Sequence, residues 1–315
     1  MGEGRLKETG QADSLLLYAP KDLRWLRADL TPPGSGEVWL STLAGAVSVG
    51  TELALYRSDA RGAEAHPYPL MTGYESLGRV VAVGEGVTAV EVGTRVVATY
   101  GHRTGACVPA KNLMLVPDDV PDEIALLAVL SNDASRGVGK LRLNRGDPVL
   151  ITGAGTIGLL ALHRLRWLGF TKVDVVEPLA PRRTLALSLG ARSVFLPEAL
   201  PEPTYTAGVE CSSAQAAFAL LQRHLRPEGQ VCVLADGNIE PLTLTPEFHR
   251  RELSVVASSD GEDYPGHARA FFDRWRETKA PLDKLFTRRI AAADLPEVFG
   301  EMLESPPVKV FVSYP

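Results

Sequence analysis

The sequence predicts an α/β protein in two parts, a β-rich domain of short strands followed by a doubly wound parallel sheet wrapped by helices. Three observations predict it. Before about residue 147, alternating or β-branched runs sit between glycines and prolines. Beyond that point, apolar runs of buried-strand length alternate with helical stretches. The first of those runs passes straight into a glycine-rich turn and a helix. At 315 residues the chain is long enough for two compact units.

In chain order, "EVWLSTLAG", "SLGRVVAVG" and "TRVVATYG" read as short antiparallel strands, and "ELALYR" as a helix start that Thr51 could cap. "PVLIT" (148–152) and "KVDVVE" (172–177) read as buried strands, separated by a helix over 157–168 that Gly169 can end. A second helix follows, with Pro181 in its first turn and Gly190 past its end. "AGVEC", a helix around "AQAAFALLQRHL", then "QVCVLA" and "ELSVVAS" continue the alternation. The first dozen residues are polar enough to be disordered.

Composition excludes several classes of function. A net charge of -5 gives no electrostatic reason to expect nucleic acid or an anionic membrane as partner. No apolar run approaches the roughly 18 residues of a membrane span, and the start lacks a signal-peptide core, so a cytoplasmic protein is expected. Cys107, Cys211 and Cys232 are odd in number and form no CxxC pair, and the six histidines show no ligand spacing. No metal site is expected from these counts.

The strongest chemical signal is Gly153-Ala154-Gly155-Thr156-Ile157-Gly158 at a strand-to-helix turn, a Rossmann fingerprint in its required context. The first glycine permits the tight turn, the second lets a pyrophosphate approach the backbone, and the third lets helix and strand pack closely. Glu177 follows 19 residues after Gly158, at the end of the next strand, where a carboxylate can accept both ribose hydroxyls. A 2′-phosphate would meet like charge there, so NAD(H) is favoured over NADP(H). Arg182 and Arg183 can either grip a phosphate and stack on adenine or form a solvated helix start.

"GTELALYRSD" (50–59), "TGYESLGRVVAVGEGVTAVEVGTRVV" (72–97), "CVPAKNLMLVPDDV" (107–120) and "GVECSSAQAAFALLQRHLRPEGQVCVLADG" (208–237), with the tail from "LFTRRIAAADL", carry a wider likeness. Over nearly the whole chain the sequence resembles the medium-chain dehydrogenase/reductase superfamily of zinc alcohol dehydrogenases and zinc-free quinone reductases. The resemblance implies a GroES-like catalytic domain over 1–130, completed by 265–315, and a Rossmann cofactor domain over 131–264. It also implies an active site in the cleft between them and a homodimer through Rossmann edge strands, with "RELSVVASS" as the candidate edge. Cys211 in the turn beside the adenosine ribose, and Leu234, Ala235 and Ser258 near the nicotinamide, match the family's cofactor positions. The motifs S-x-G-T-E and G-Y-E-S-x-G-R-V look most like a zinc-poor branch that includes bacteriochlorophyllide dehydrogenases.

Where zinc-dependent members carry ligands, this chain has Val49, Tyr74 and Asn132. The four-cysteine lobe of the structural zinc is replaced by the short "YGHRTGACVPA", so neither a catalytic nor a structural zinc is expected. An improvised site of Glu75, His102 and Cys107 is the alternative. Thr51, Tyr74, His102 and Asn132 are therefore the candidate catalytic residues. Thr51 either begins a proton relay or caps a helix, and Tyr74 either donates to a substrate oxygen or fills the vacated cavity. His102 is either a general acid or a surface-loop residue, and Asn132 with Asp133 either orients substrate or caps a helix. Glu52 and Glu75 match positions behind the metal, or are buried acids paired with Arg79 or Arg136. The resulting expectation is an NAD(H)-dependent, zinc-independent oxidoreductase acting on an activated carbonyl, quinone, enone or hydroxyl compound. The alternative is a non-catalytic NAD(H)-binding sensor or structural dimer.

Overall fold

A computed structural model of the protein describes residues 10–58, 67–202, 205–235 and 240–315. They form two compact units, one of residues 10–58, 67–126 and 288–315, the other of residues 127–287. The chain returns to the first unit at Arg288, later than the expected 265, because the helix over 264–278 packs in the second.

The first unit is β-rich, as alternating and β-branched runs between turns require. It opens with β1 (Gly10–Ala19), β2 (Asp22–Leu30) and β3 (Glu37–Val47), then helix α1 (Val49–Arg57). β4 (Leu70–Met71), β5 (Glu75–Val83), β6 (Arg95–Ala98), β7 (Gly105–Pro109) and β8 (Met114–Leu115) follow, before the short helix α2 (Asp122–Leu126). Residues 10–12, expected to be disordered, are part of β1; the earlier ones lie outside the described residues.

The second unit begins with α3 (Ala128–Gly139), β9 (Val149–Thr152), α4 (Thr156–Trp167), β10 (Val173–Val176) and α5 (Ala180–Ser188). It continues through β11 (Ser193–Phe195), β12 (Tyr205–Glu210), α6 (Gln215–His224), β13 (Leu225–Val233), α7 (Pro246–Arg250), β14 (Ser254–Ala257) and α8 (Tyr264–Thr278). β15 (Phe286–Ala291), α9 (Leu295–Glu301) and β16 (Lys309–Ser313) close the chain.

In the first unit, β2-β1-β4 form a small antiparallel sheet, and β15-β16-β3-β5-β6-β8 a larger one in which β7 also pairs with β3. β3 is the keel of this unit. β16 lies on one side of it, with Val310 opposite Val47, and β5 on the other, with Glu75 opposite Ala46. One core gathers Leu15, Leu17, Leu53, Phe299 and Val312; a second gathers Val38, Leu40, Val80 and Val96.

The second unit holds a parallel sheet ordered β11-β10-β9-β12-β13-β14. This is the doubly wound order whose direction of winding reverses between its first and fourth strands, here β9 and β12. The central strands are buried along their whole length because helices cover both faces. β14 is the edge, exposed throughout. No helix among the described residues is long and apolar enough to cross a membrane.

Candidate active site

In the second unit the fingerprint glycines do three different jobs, each visible in its surroundings. Gly153 has φ +88, and a Cβ there would lie 3.0 Å from the Cys211 carbonyl oxygen. On Gly158 a Cβ would reach within 2.0 Å of the Gly153 carbonyl oxygen, an approach that only a glycine allows. Gly155 faces open space, so a ligand can come up to its backbone. α4 starts immediately afterwards, with Thr156 and Ile157 half-buried in its first turn, where the helix dipole favours an anion.

Glu177 stands beyond β10 and is 3% exposed. Its Oε2 accepts the Ala154 N–H at 2.7 Å and its Oε1 the Leu179 N–H at 2.9 Å, so the carboxylate braces the fingerprint loop from below. Each oxygen has a further lone pair for a ribose hydroxyl. Arg183 donates to the Glu177 and Pro178 carbonyls at 2.9 and 2.6 Å, which makes it a structural tie, whereas Arg182 sits half-buried in the first turn of α5. Cys211, Leu234, Ala235 and Ser258 follow the carboxyl ends of β12, β13 and β14, where ligands bind in sheets of this type. Leu234 and Ala235 both donate their N–H groups to the Glu210 carbonyl, and Ser258 donates to that of Val233. The glycine cradle, the helix start and the acid together fit a dinucleotide.

The first unit brings together Thr51, Tyr74 and His102, residues that are distant in sequence. α1 begins after Ser48, so Thr51 lies inside its first turn and is not its cap. The half-buried Tyr74 phenol is hydrogen-bonded by the Ser48 and Thr51 side chains. Burial, reinforced by the Glu75 and Glu52 carboxylates, holds its pKa well above the ordinary phenol value despite those bonds, so the phenol keeps its proton. Ser48 had no assigned role in the sequence reading; the quoted S-x-G-T-E pattern was the available signal.

Behind the phenol lie two buried carboxylates, each with a basic side chain beside it. His102 is 1% exposed, and its Nε2 stands 2.9 Å from Glu52 Oε2, while Glu52 Oε1 accepts the Ser48 N–H at 2.8 Å. The surface-loop alternative does not hold: His102 is a core residue, and its ring fills the space a side chain on Gly73 would need. Glu75 and Lys309 are both fully buried and 2.6 Å apart. The expected arginine partners do other things, since Arg79 donates to the Gly93 carbonyl and Arg136 pairs with Glu262. Lys309 was missed, although a lysine inside the apolar run "PVKVFV" is a recognisable sign of a buried charge.

Asn132 is in the second unit, in the middle of α3 rather than at its end. Its Nδ2 donates to the Glu262 carbonyl at 2.8 Å, and its neighbour Asp133 accepts from Tyr264 and from the Gly261 N–H. Both tie α3 to the loop before α8. The improvised metal site does not assemble: Cys107 bonds the Thr31 carbonyl, while His102 and Glu75 are held by Glu52 and Lys309. Among the described residues no group of three His, Cys, Asp or Glu side chains could hold a metal ion. The donor set at Val49 and Tyr74 does not fit a catalytic zinc.

Comparison with known proteins adds independent findings. Residues 34–116 match the alcohol dehydrogenase GroES-like domain. L-threonine 3-dehydrogenase of Chelativorans sp. (strain BNC1) is 27% identical over 97% of this chain and 100% of its own. Residues 34–116 are thus a GroES-like domain of the alcohol dehydrogenase type, and over its whole length the chain resembles dehydrogenases of the medium-chain dehydrogenase/reductase superfamily. It is an alcohol dehydrogenase-like oxidoreductase. Solved structures share the fold. One is a protein of Sinorhizobium meliloti 1021, assigned as a zinc-binding dehydrogenase and bound to NADP; it has a TM-score of 0.84 at 20% identity, covering 96% of this chain and 99% of that one. The 2R,3R-butanediol dehydrogenase of Bacillus subtilis gives 0.82 at 21%, with the same coverage.

Proposed function

We propose that this chain is an NAD(H)-preferring, zinc-independent medium-chain dehydrogenase/reductase of the cytoplasm, acting on an activated carbonyl, quinone, enone or hydroxyl compound. The single observation that carries this reading is the Tyr74 phenol, kept protonated and held by the Ser48 and Thr51 hydroxyls where the family's zinc-binding imidazole would stand. The bound dinucleotide supplies or accepts hydride. The chain's own part is to manage charge on the substrate oxygen. With Ser48 and Thr51 donating to the phenol oxygen, the Tyr74 proton is free to be offered to an oxygen that becomes negative. A well-placed donor of this kind is worth about 3 kcal/mol. One such donor falls short of a metal ion's polarising power, and so substrates already activated toward hydride are favoured.

His102 acts from behind in this reading. Through Glu52 it fixes the start of α1, and with it Ser48 and Thr51. Asn132 has its amide committed to the Glu262 carbonyl and has no part in the chemistry. The Glu177 carboxylate supports NAD(H) over NADP(H), because a 2′-phosphate would be brought against a buried negative charge. The exposed edge strand β14, with Val255 and Val256 each 36% exposed, supports a homodimer through paired edges. The test is a screen of NADH oxidation over quinones, enones, aldehydes and ketones, with bound zinc measured on the same sample. Turnover by a zinc-free preparation is the expected result. Tight NADH binding with no turnover on any acceptor would favour a redox sensor.

A further inference from the structure

Glu210 ends β12 with no solvent exposure, and its carboxylate has a use that the fingerprint does not explain. Its Oε1 accepts the Ser212 N–H at 2.7 Å and the Ser212 hydroxyl at 2.5 Å, and the Ser213 backbone adds a third hydrogen bond to the carboxylate. Oε2 has no partner among the described residues. Among the described residues the hydrogen bonds of this carboxylate go to the loop that follows, and none to another strand.

That loop is held in an unfavourable shape. Ser213 has φ +62, in the left-handed region that a serine rarely enters and a glycine enters freely. The loop also packs directly on the dinucleotide fingerprint. The atoms nearest a Cβ built on Gly153 are the Cys211 carbonyl at 3.0 Å and the Ser212 Cα at 3.1 Å, and a Cβ on Gly158 would stand 3.3 Å from the Cys211 Cβ. A shift of 211–213 would therefore be transmitted to the turn that receives the pyrophosphate.

We propose that Glu210 is a positioning residue that holds the 211–213 loop in its left-handed form against the fingerprint and so sets the affinity for the dinucleotide. The proposal rests on the dinucleotide-binding reading of this unit, but not on the substrate or on zinc independence. Burial raises the Glu210 pKa, and Oε1 alone takes both Ser212 hydrogen bonds, so a neutral amide with its oxygen in that place serves nearly as well as a carboxylate.

The experiment measures the NADH dissociation constant by fluorescence titration, and the unfolding midpoint, for the full-length protein and three variants. Glu210→Gln is expected to bind within about threefold of wild type, and Glu210→Ala about tenfold more weakly, because the loop loses its acceptor. Glu210→Ala combined with Ser213→Gly is expected to recover most of that loss, since glycine adopts the left-handed form without being held. A purely stabilising role would not give this recovery. If Glu210→Ala does not fold, Ser212→Ala removes one of the bonds from the loop side and should weaken binding about threefold. Wild-type affinity in Glu210→Ala, or in Ser212→Ala when that variant stands in, overturns the proposal. So does a weakened Glu210→Ala that Ser213→Gly fails to restore. A wild-type protein that binds neither NADH nor NADPH would overturn the dinucleotide reading and this proposal with it, which separates the two failures.

Discussion

The fingerprint of the second unit is built from backbone and depends on atoms that are missing, whereas the proposed oxygen site of the first is built from side chains that must all be present. A Cβ on Gly158 would meet a carbonyl 2.0 Å away, five residues back along the chain. Behind Tyr74, by contrast, Glu52 meets a histidine 50 residues away and Glu75 a lysine 234 residues away. A site of the first kind is damaged by adding atoms, and one of the second kind by removing them.

Removal should have the largest effect at Lys309. Lys309→Met leaves a carboxylate fully buried without its cation, and is expected to cost about 3–5 kcal/mol in urea unfolding. Replacing Glu75 by Gln in the same chain should return much of that loss. A loss below about 1 kcal/mol, as for an exposed pair, would break the contrast. Addition should act most strongly at Gly158. Gly158→Ala forces the turn or α4 to move and should weaken NADH binding by about a hundredfold, whereas Gly155→Ala, which points into open space, should weaken it much less. Equal effects at the two glycines would contradict the separate roles assigned to them.

Tyr74→Phe removes one oxygen and keeps the ring. It should lower kcat about a hundredfold with the fold intact, since only the donor to the substrate oxygen is lost. If kcat holds and the unfolding midpoint drops instead, Tyr74 is a core residue. Glu177→Ala should relax selectivity toward NADP(H), as judged by the ratio of kcat/KM for the two cofactors, at some cost to the loop that Ala154 anchors. An unchanged ratio would count against the ribose role.

The smallest effect near neutral pH concerns helices α4 and α8. His163 and His267 are both pushed down to about 4, first by burial and then by neighbouring positive charge from Arg274 and Arg164 at His163 and from Arg164 at His267. An unfolded chain binds these protons near 6.5, above the folded values. Stability from these rings is therefore complete above about pH 6.5 and is lost as the pH falls toward 4, at up to about 1.4 kcal/mol per pH unit for each ring. Urea midpoints at pH 7, 6 and 5 measure it. A flat profile would mean that the rings are hydrated.

The two regions also differ in how far the sequence disclosed them. Strand and helix boundaries around 148–177 and the position of Glu177 just past a strand follow from local spacing, and the structure places them within a residue or two. Val49 and Tyr74, at the positions matched to the family's zinc ligands, were legible for the same reason, since each sits inside a contiguous motif. The partners of the buried acids were not. Glu75 finds Lys309 because β5 and β16 flank β3, and that adjacency is a property of sheet order which no local pattern encodes. The surroundings of Asn132 were hidden in a related way. Ungapped matching set it at a ligand position, but its side chain is taken up by a loop 130 residues away.

The central claim is that the oxygen site works through the Tyr74 phenol without a metal. Zinc content per chain, measured on a preparation whose NADH-dependent turnover is recorded before and after dialysis against a strong chelator, tests it most directly. The account predicts far less than one zinc per chain and turnover unchanged by the chelator. One tightly held zinc per chain, with turnover lost on its removal and restored on its return, would contradict it.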